Sequence, residues 1–223
     1  MLFKPVKRLS KRQIKDDKLV IRTAQAWEWI QENYPKIIGG AAGAVVLLLL
    51  AIYLMGRGKR QAAEAAEAFS KAQIAAMEGR IGDALLQGEE VSKRHAGTGA
   101  GAQALLLVAN TTFEMGRVAE AKAAFQRCID DYGKDPVMVY AGWNGLAACL
   151  EQEGNLREAA AKYEAFAQRY DQSPFAGAAL KEAARCYGQA GDREKARTLL
   201  QAITEKYKNT PLASEAQARL KTM

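Results

Sequence analysis

The chain has 223 residues, 49% of them hydrophobic and 26% charged, enough for one or two domains. Its net charge of +7 is lopsided: the first 36 residues carry nine Lys/Arg against four Asp/Glu, and the other 187 carry 23 against 21. The basic character points to anionic headgroups beside a membrane, and the near-neutral remainder has no basic stripe interleaved with aromatics, which argues against nucleic acid.

Residues 1–36 read as a basic cytoplasmic segment. Its cations are Lys4, Lys7, Arg8, Lys11, Arg12, Lys15, Lys18, Arg22 and Lys36. From residue 16 to 34, Leu19, Thr23, Ala26, Trp27, Ile30 and Tyr34 recur at helical spacing, the pattern of an amphipathic helix in the headgroup layer. An ordinary solvated juxtamembrane helix remains the alternative. Trp27, Trp29 and Tyr34 suit one interface and Tyr53 the other. Pro35 is expected to bend the chain, because the residue before a proline disfavours the α region.

Residues 37–55, IIGGAAGAVVLLLLAIYLM, hold no charge. At a rise of ~1.5 Å per residue, they extend about 28 Å, the hydrocarbon thickness of a bilayer. A buried core helix and a cleaved signal peptide are the alternatives. The long segment before the run and the charges Arg57, Lys59 and Arg60 after it favour an uncleaved signal anchor. The excess of cations before the run places the N-terminus in the cytoplasm and the bulk of the chain across the membrane. In a Gram-negative cell that side is the periplasm; charge alone leaves a eukaryotic organelle open. Gly39-x-x-x-Gly43 would let two such helices pair closely.

Residues 56–64 form a linker leading into a helix, and residues 65–223 repeat. Gly79-Arg80-Ile81-Gly82-Asp83-Ala84, Gly116-Arg117-Val118-Ala119-Glu120-Ala121, Gly154-Asn155-Leu156-Arg157-Glu158-Ala159 and Gly191-Asp192-Arg193-Glu194-Lys195-Ala196 align with spacings of 37, 38 and 37 residues. A fixed period in this range means stacked units, each a helix, a glycine turn with φ > 0, and a second helix. Small residues flank the turn: Ala72, Ala109, Ala147 and Ala184 before it, and Ala84, Ala121, Ala159 and Ala196 after it. Phe125, Tyr163 and Leu200 fill the space beyond. Gly88 stands at that place in the first unit, which predicts poorer packing there.

Tyr132-x-x-x-Pro136, Tyr170-x-x-x-Pro174 and Tyr207-x-x-x-Pro211 close the units, with Asp135, Ser173 and Thr210 as N-caps before proline. His95-x-x-x-Gly99 falls in the same register, so the sole histidine reads as a structural junction residue. The units run about 65–101, 102–139, 140–176 and 177–210, with a cap at 211–223. Cys128, Cys149 and Cys186 lack metal-ligand spacing. Cys149 and Cys186 are expected on adjacent stacked first helices, too far apart for a bridge; three small buried thiols are the expectation, with one disulfide in an oxidising compartment as the alternative.

Trp143-x-x-Leu146-Ala147, Gly154, Ala159 and Tyr163 make the region from about 65 to 210 resemble a tetratricopeptide repeat (TPR) array. The resemblance implies an all-α chain: one N-terminal transmembrane helix, then a right-handed α-solenoid of about four helix-turn-helix units with a capping helix. A basic helix, one span, an Ala-rich helix and TPR-like repeats are together similar to the YfgM-like, translocon-associated TPR family. That likeness implies a periplasmic scaffold beside the Sec channel, with Sec subunits, chaperones or exported clients as partners. The Tyr-x-x-x-Pro junctions resemble TPRs of outer-membrane assembly and Tol-associated proteins.

In a TPR stack the first helix of each unit lines the concave face. The register places Phe69, Gln73, Asn110, Phe113, Glu114, Asn144, Glu151, Gln152, Lys181, Arg185 and Gln189 there, a mixture suited to an extended peptide or a partner helix. It lacks the Lys/Asn set that clamps a C-terminal carboxylate. The alternative is that many of these residues are simply solvated. An enzyme would need a nucleophile with a base, tuned carboxylates or a metal cluster. The spacing offers none, so no catalytic residue, cofactor or metal is expected. A structural subunit of an envelope or secretion complex is the second functional reading.

Overall fold

The computed structural model describes the backbone of residues 11–223, and the side chains of residues 21–223 save Ala24 and Ile37. The cations Lys4, Lys7 and Arg8 lie outside the described residues. So do the side chains of Lys11, Arg12, Lys15, Lys18 and Leu19. Among the described residues there are nine helices and no strand: α1 (Lys11–Met77), α2 (Ile81–Arg94), α3 (Gly99–Glu114), α4 (Val118–Asp131), α5 (Pro136–Gln152), α6 (Leu156–Arg169), α7 (Ala176–Gln189), α8 (Arg193–Lys206) and α9 (Pro211–Thr222). The chain divides into two compact units, Met1–Lys59 and Arg60–Met223.

In the first unit the sequence-based boundaries need correction. Pro35 lies inside α1 and does not end it. A proline removes one amide donor, but the helical bonds on either side of it survive. The expected linker 56–64 is helical too. Arg57, Lys59, Arg60, Gln61, Ala62 and Ala63 are good helix formers and outweigh Gly56 and Gly58. The helical segment that could cross a membrane by length and composition begins at Ile38, and its apolar run ends at Met55, before Arg57, Lys59 and Arg60. Its most apolar window has mean hydropathy 2.4 and none of it is buried. Leu47 and Leu48, neighbours that face different sides of the helix, are 68% and 61% exposed. A core helix of a water-soluble fold buries at least one side, so this run is not the core of any described part. Trp27, Trp29 and Tyr34 are exposed as well.

In the second unit, the C-terminal part of α1 pairs with α2, α3 with α4, α5 with α6, and α7 with α8. Each turn is a Schellman closure. The glycine N–H bonds the carbonyl three residues back and the next N–H bonds five back, as in Gly116 to Phe113 and Arg117 to Thr112. The geometry needs a left-handed residue, and Gly79, Gly116, Gly154 and Gly191 have φ of 75°, 74°, 82° and 86°. The alanines flanking these turns are buried, which lets paired helices approach closely. Phe125, Tyr163 and Leu200 are buried beyond them.

Gly88 behaves differently from the expectation of poor packing. It is buried, and a Cβ added there would lie 2.9 Å from Val108 Cγ2. Helix α3 moves into the space the missing side chain leaves, so the pair is tight.

The junctions follow the cap chemistry with one exception. Asp135 accepts from Val137 and Met138 N–H, Thr210 from Ala213, and Thr98 from Gly101. Helix α7, however, begins at Ala176, two residues after Pro174, with Phe175 at the N-cap position. Ser173 Oγ accepts from Phe175 N–H at 3.3 Å, and Ala176 N–H bonds Ser173 O at 3.1 Å. This tight turn replaces the first α-turn and lays the Phe175 ring on Tyr140, centroids 4.5 Å apart. His95, Tyr132, Tyr170 and Tyr207 all stand at helix C-caps. Tyr132 Oη accepts from Gly97 N–H of the preceding unit at 3.3 Å. Cores run from unit to unit: one joins Leu105, Phe125 and Met138 across α3, α4 and α5. Another joins Ala184, Leu200 and Ala216 across α7, α8 and α9.

Candidate functional site

The candidate residues lie on the first helix of each unit: Asn110, Phe113 and Glu114 on α3, Asn144, Glu151 and Gln152 on α5, and Lys181, Arg185 and Gln189 on α7. Phe69 and Gln73 lie on α1. Gln73, Asn110, Glu114, Gln152 and Gln189 are exposed; Phe69, Phe113, Asn144, Glu151, Lys181 and Arg185 are half-buried. Phe113 is anchored from below by Phe125, edge to face at 6.5 Å.

The structure brings three of these residues together. Arg185 reaches back one unit to Glu151 at 2.6 Å, holds Glu182 of its own helix at 2.6 Å, and donates to Gln189 Oε1 at 3.0 Å. Tyr163 Oη donates to the other oxygen of Glu151 at 3.0 Å. Burial works against the charge of Arg185, but its hydrogen bonds to Glu182 and Glu151 outweigh it and hold the guanidinium above its usual range. Burial, then the Glu151 charge, pushes the Tyr163 phenol up. The same two causes push the Cys186 thiol up to about 12. Lys181 is held 3.3 Å from Glu215 of α9.

The other candidates stay apart from this network. Asn110, Asn144, Glu114, Gln73 and Gln152 have no hydrogen-bond or ion-pair partner among the described residues. A stripe of unpaired carboxamides beside half-buried aromatics can grip polypeptide backbone and apolar side chains. Among the described residues no group of three or more His, Cys, Asp or Glu could hold a metal ion. Cys128, Cys149 and Cys186 are free and buried. Burial raises all three thiols, Cys128 to about 11. Such thiols are poor nucleophiles at neutral pH.

A family model described as tetratricopeptide repeat-like domain matches residues 27–162, more than half of the chain. The chain belongs to the tetratricopeptide repeat-like domain family. A second model, for the tetratricopeptide repeat itself, matches residues 150–220. Among solved structures, a putative kinesin light chain with TPR-like repeats from Podosopora anserina is 20% identical, with TM-score 0.50, over 69% of this chain and 82% of that one. The type III secretion translocator chaperone SycD of Yersinia enterocolitica is 21% identical, with TM-score 0.44, over 55% and 89%. YrrB, a TPR protein with an unusual peptide-binding site, is 19% identical, with TM-score 0.48, over 69% and 74%. At such identities the likeness is one of fold. No curated protein matches the chain.

Two residues of this TPR face escaped sequence reasoning: Glu182, which shares Arg185, and Glu215, which holds Lys181. Glu182 and Arg185 are three apart on one helix, a legible pair. Glu215 required knowing that α9 packs as the next first helix. The hydroxyl of Tyr163, where the neighbouring units have Phe125 and Leu200, was the visible signal for a buried polar partner.

Proposed function

We propose that this chain is a membrane-anchored TPR scaffold. Its apolar helix crosses the bacterial inner membrane once, the basic N-terminal segment lies in the cytoplasm, and the repeats stand in the periplasm. There the first-helix face engages other proteins near the Sec translocon and assists the handling of secreted proteins. The observation that carries the binding role is a set of carboxamides without a partner among the described residues, Asn110 one turn from Phe113 on α3 and Asn144 on α5. Two features support the anchor. The apolar window is unburied on all sides, and the family match begins at residue 27, so it takes in the whole run. The excess of cations before the run supports the orientation. The placement beside the translocon rests on the similarity of layout to the YfgM-like family.

Photo-crosslinking from positions 110 and 144 in intact membranes tests the binding role. Recovery of Sec subunits, chaperones or a range of exported clients supports it. One fixed stoichiometric partner set would replace it with a structural subunit of an envelope complex. Protease added to spheroplasts tests the orientation: the repeats should be digested, and their survival refutes a periplasmic domain.

A further inference from the structure

The charge balance of the first-helix face ranks its ligands. The charged side chains of this face are Glu114 on α3, Glu151 on α5, Lys181, Glu182 and Arg185 on α7, and Glu215 on α9. Both cations are already saturated: Lys181 by Glu215 at 3.3 Å, and Arg185 by Glu151 and Glu182, each at 2.6 Å. The cations at the neighbouring turn are taken as well. Arg117 is paired with Glu120, and Lys122 lies 2.7 Å from Glu153. Glu114 differs from all of these. It is exposed at the end of α3 and has no partner among the described residues.

A ligand carboxylate therefore meets no free cation. To gain one it must pull Arg185 from two half-buried carboxylates. A ligand cation meets a free one-to-one partner in Glu114. One turn before Glu114 on the same helix is Asn110, and Asn144 stands on the next first helix. Their carboxamides both donate and accept, which suits an extended backbone.

We infer that this face selects a basic, extended polypeptide segment, with a Lys or Arg placed on Glu114, and rejects acidic segments and free C-terminal carboxylates. This rests on the reading that the first-helix face is where protein partners bind. Glu114 sets the charge preference, and the Arg185 pairs keep the C-terminal half of the face from offering a cation.

The test uses the full chain in neutral detergent and two fluorescent, end-blocked peptides, one alternating Lys and Leu and one alternating Glu and Leu. Fluorescence anisotropy is expected to show the Lys peptide binding more tightly, by a margin that shrinks as salt is raised. Glu114→Gln should weaken the Lys peptide by about threefold, the size of an exposed ion pair. Glu114→Lys should reverse the order of the two peptides. Glu114 is exposed, so neither variant should alter the circular-dichroism spectrum. Equal binding of both peptides overturns the charge selection and leaves the face as a binding site. A Lys-peptide preference unmoved by both Glu114 variants places the selection elsewhere and overturns the inference. If neither peptide binds, both the inference and the reading of the face fall.

Discussion

Gly145→Ala probes a close approach of α5 to α4. Gly145 sits in α5, and a Cβ there would overlap Cγ, Cδ1 and Cε1 of Phe125 on α4. The ring must retreat by about 1 Å or more to reach ordinary carbon contact. It has nowhere to go: Phe125 is 3% exposed and packed against Phe113, Ala121 and Cys128. Overpacking of this kind costs about 1–3 kcal/mol. Against it, alanine gains about 1 kcal/mol over glycine in a helix interior. The net is a loss of about 1 kcal/mol. Gly188→Ala on α7 is the control, since its Cβ would meet Ala196 Cβ at an ordinary 3.9 Å and only the propensity gain applies. Urea unfolding followed by circular dichroism at the helix band reads both. Gly145→Ala should shift the midpoint down and Gly188→Ala should shift it up. A Gly145→Ala variant as stable as Gly188→Ala would refute the close packing of α4 on α5.

Ala159, fully buried between α5, α6 and the next unit, should not tolerate Ala159→Trp; overpacking costs about 1–3 kcal/mol or more, read as a lowered melting temperature. Asp135→Ala should cost about 1 kcal/mol through loss of the α5 cap, and Ser173→Ala should cost less, because Ser173 holds a turn and caps no helix; denaturant midpoints compare the two. The buried thiols give a pH dependence with a definite sign. In the folded chain Cys128 and Cys186 ionise only near 11 and 12, whereas an unfolded chain loses those protons near the ordinary thiol value of about 8.5. The thiol contribution is therefore fully present below about 8.5 and is lost as pH rises through 11 and 12; Cys186→Ala should remove part of that alkaline fall in the unfolding midpoint. In native protein at pH 8 all three thiols should resist a charged thiol reagent and react only after denaturant is added.

What could be read without coordinates was whatever a short window controls. The four turn glycines, the alanines that flank them, and the Asp135 and Thr210 caps each depend on backbone conformation or hydrogen bonds within a few residues, so their spacing carried the helix order directly. The apolar run was legible for the same reason: composition over one helix length decides whether water or lipid can surround it. Packing between elements decided the rest. The late start of α7, with Phe175 stacked on Tyr140, and the closure of α3 over Gly88 are outcomes of competition between a weak local preference and a neighbour's surface. On the candidate face, the repeat register could place Glu151 and Arg185 but not pair them. That pair, and the Lys181–Glu215 pair, form across units about 34 residues apart, where only the stacking of one helix on the next brings charges within reach. The repeat register therefore offered the candidate residues, while the tertiary structure decided which of them pair with one another and left Glu114, Asn110 and Asn144 without a partner among the described residues.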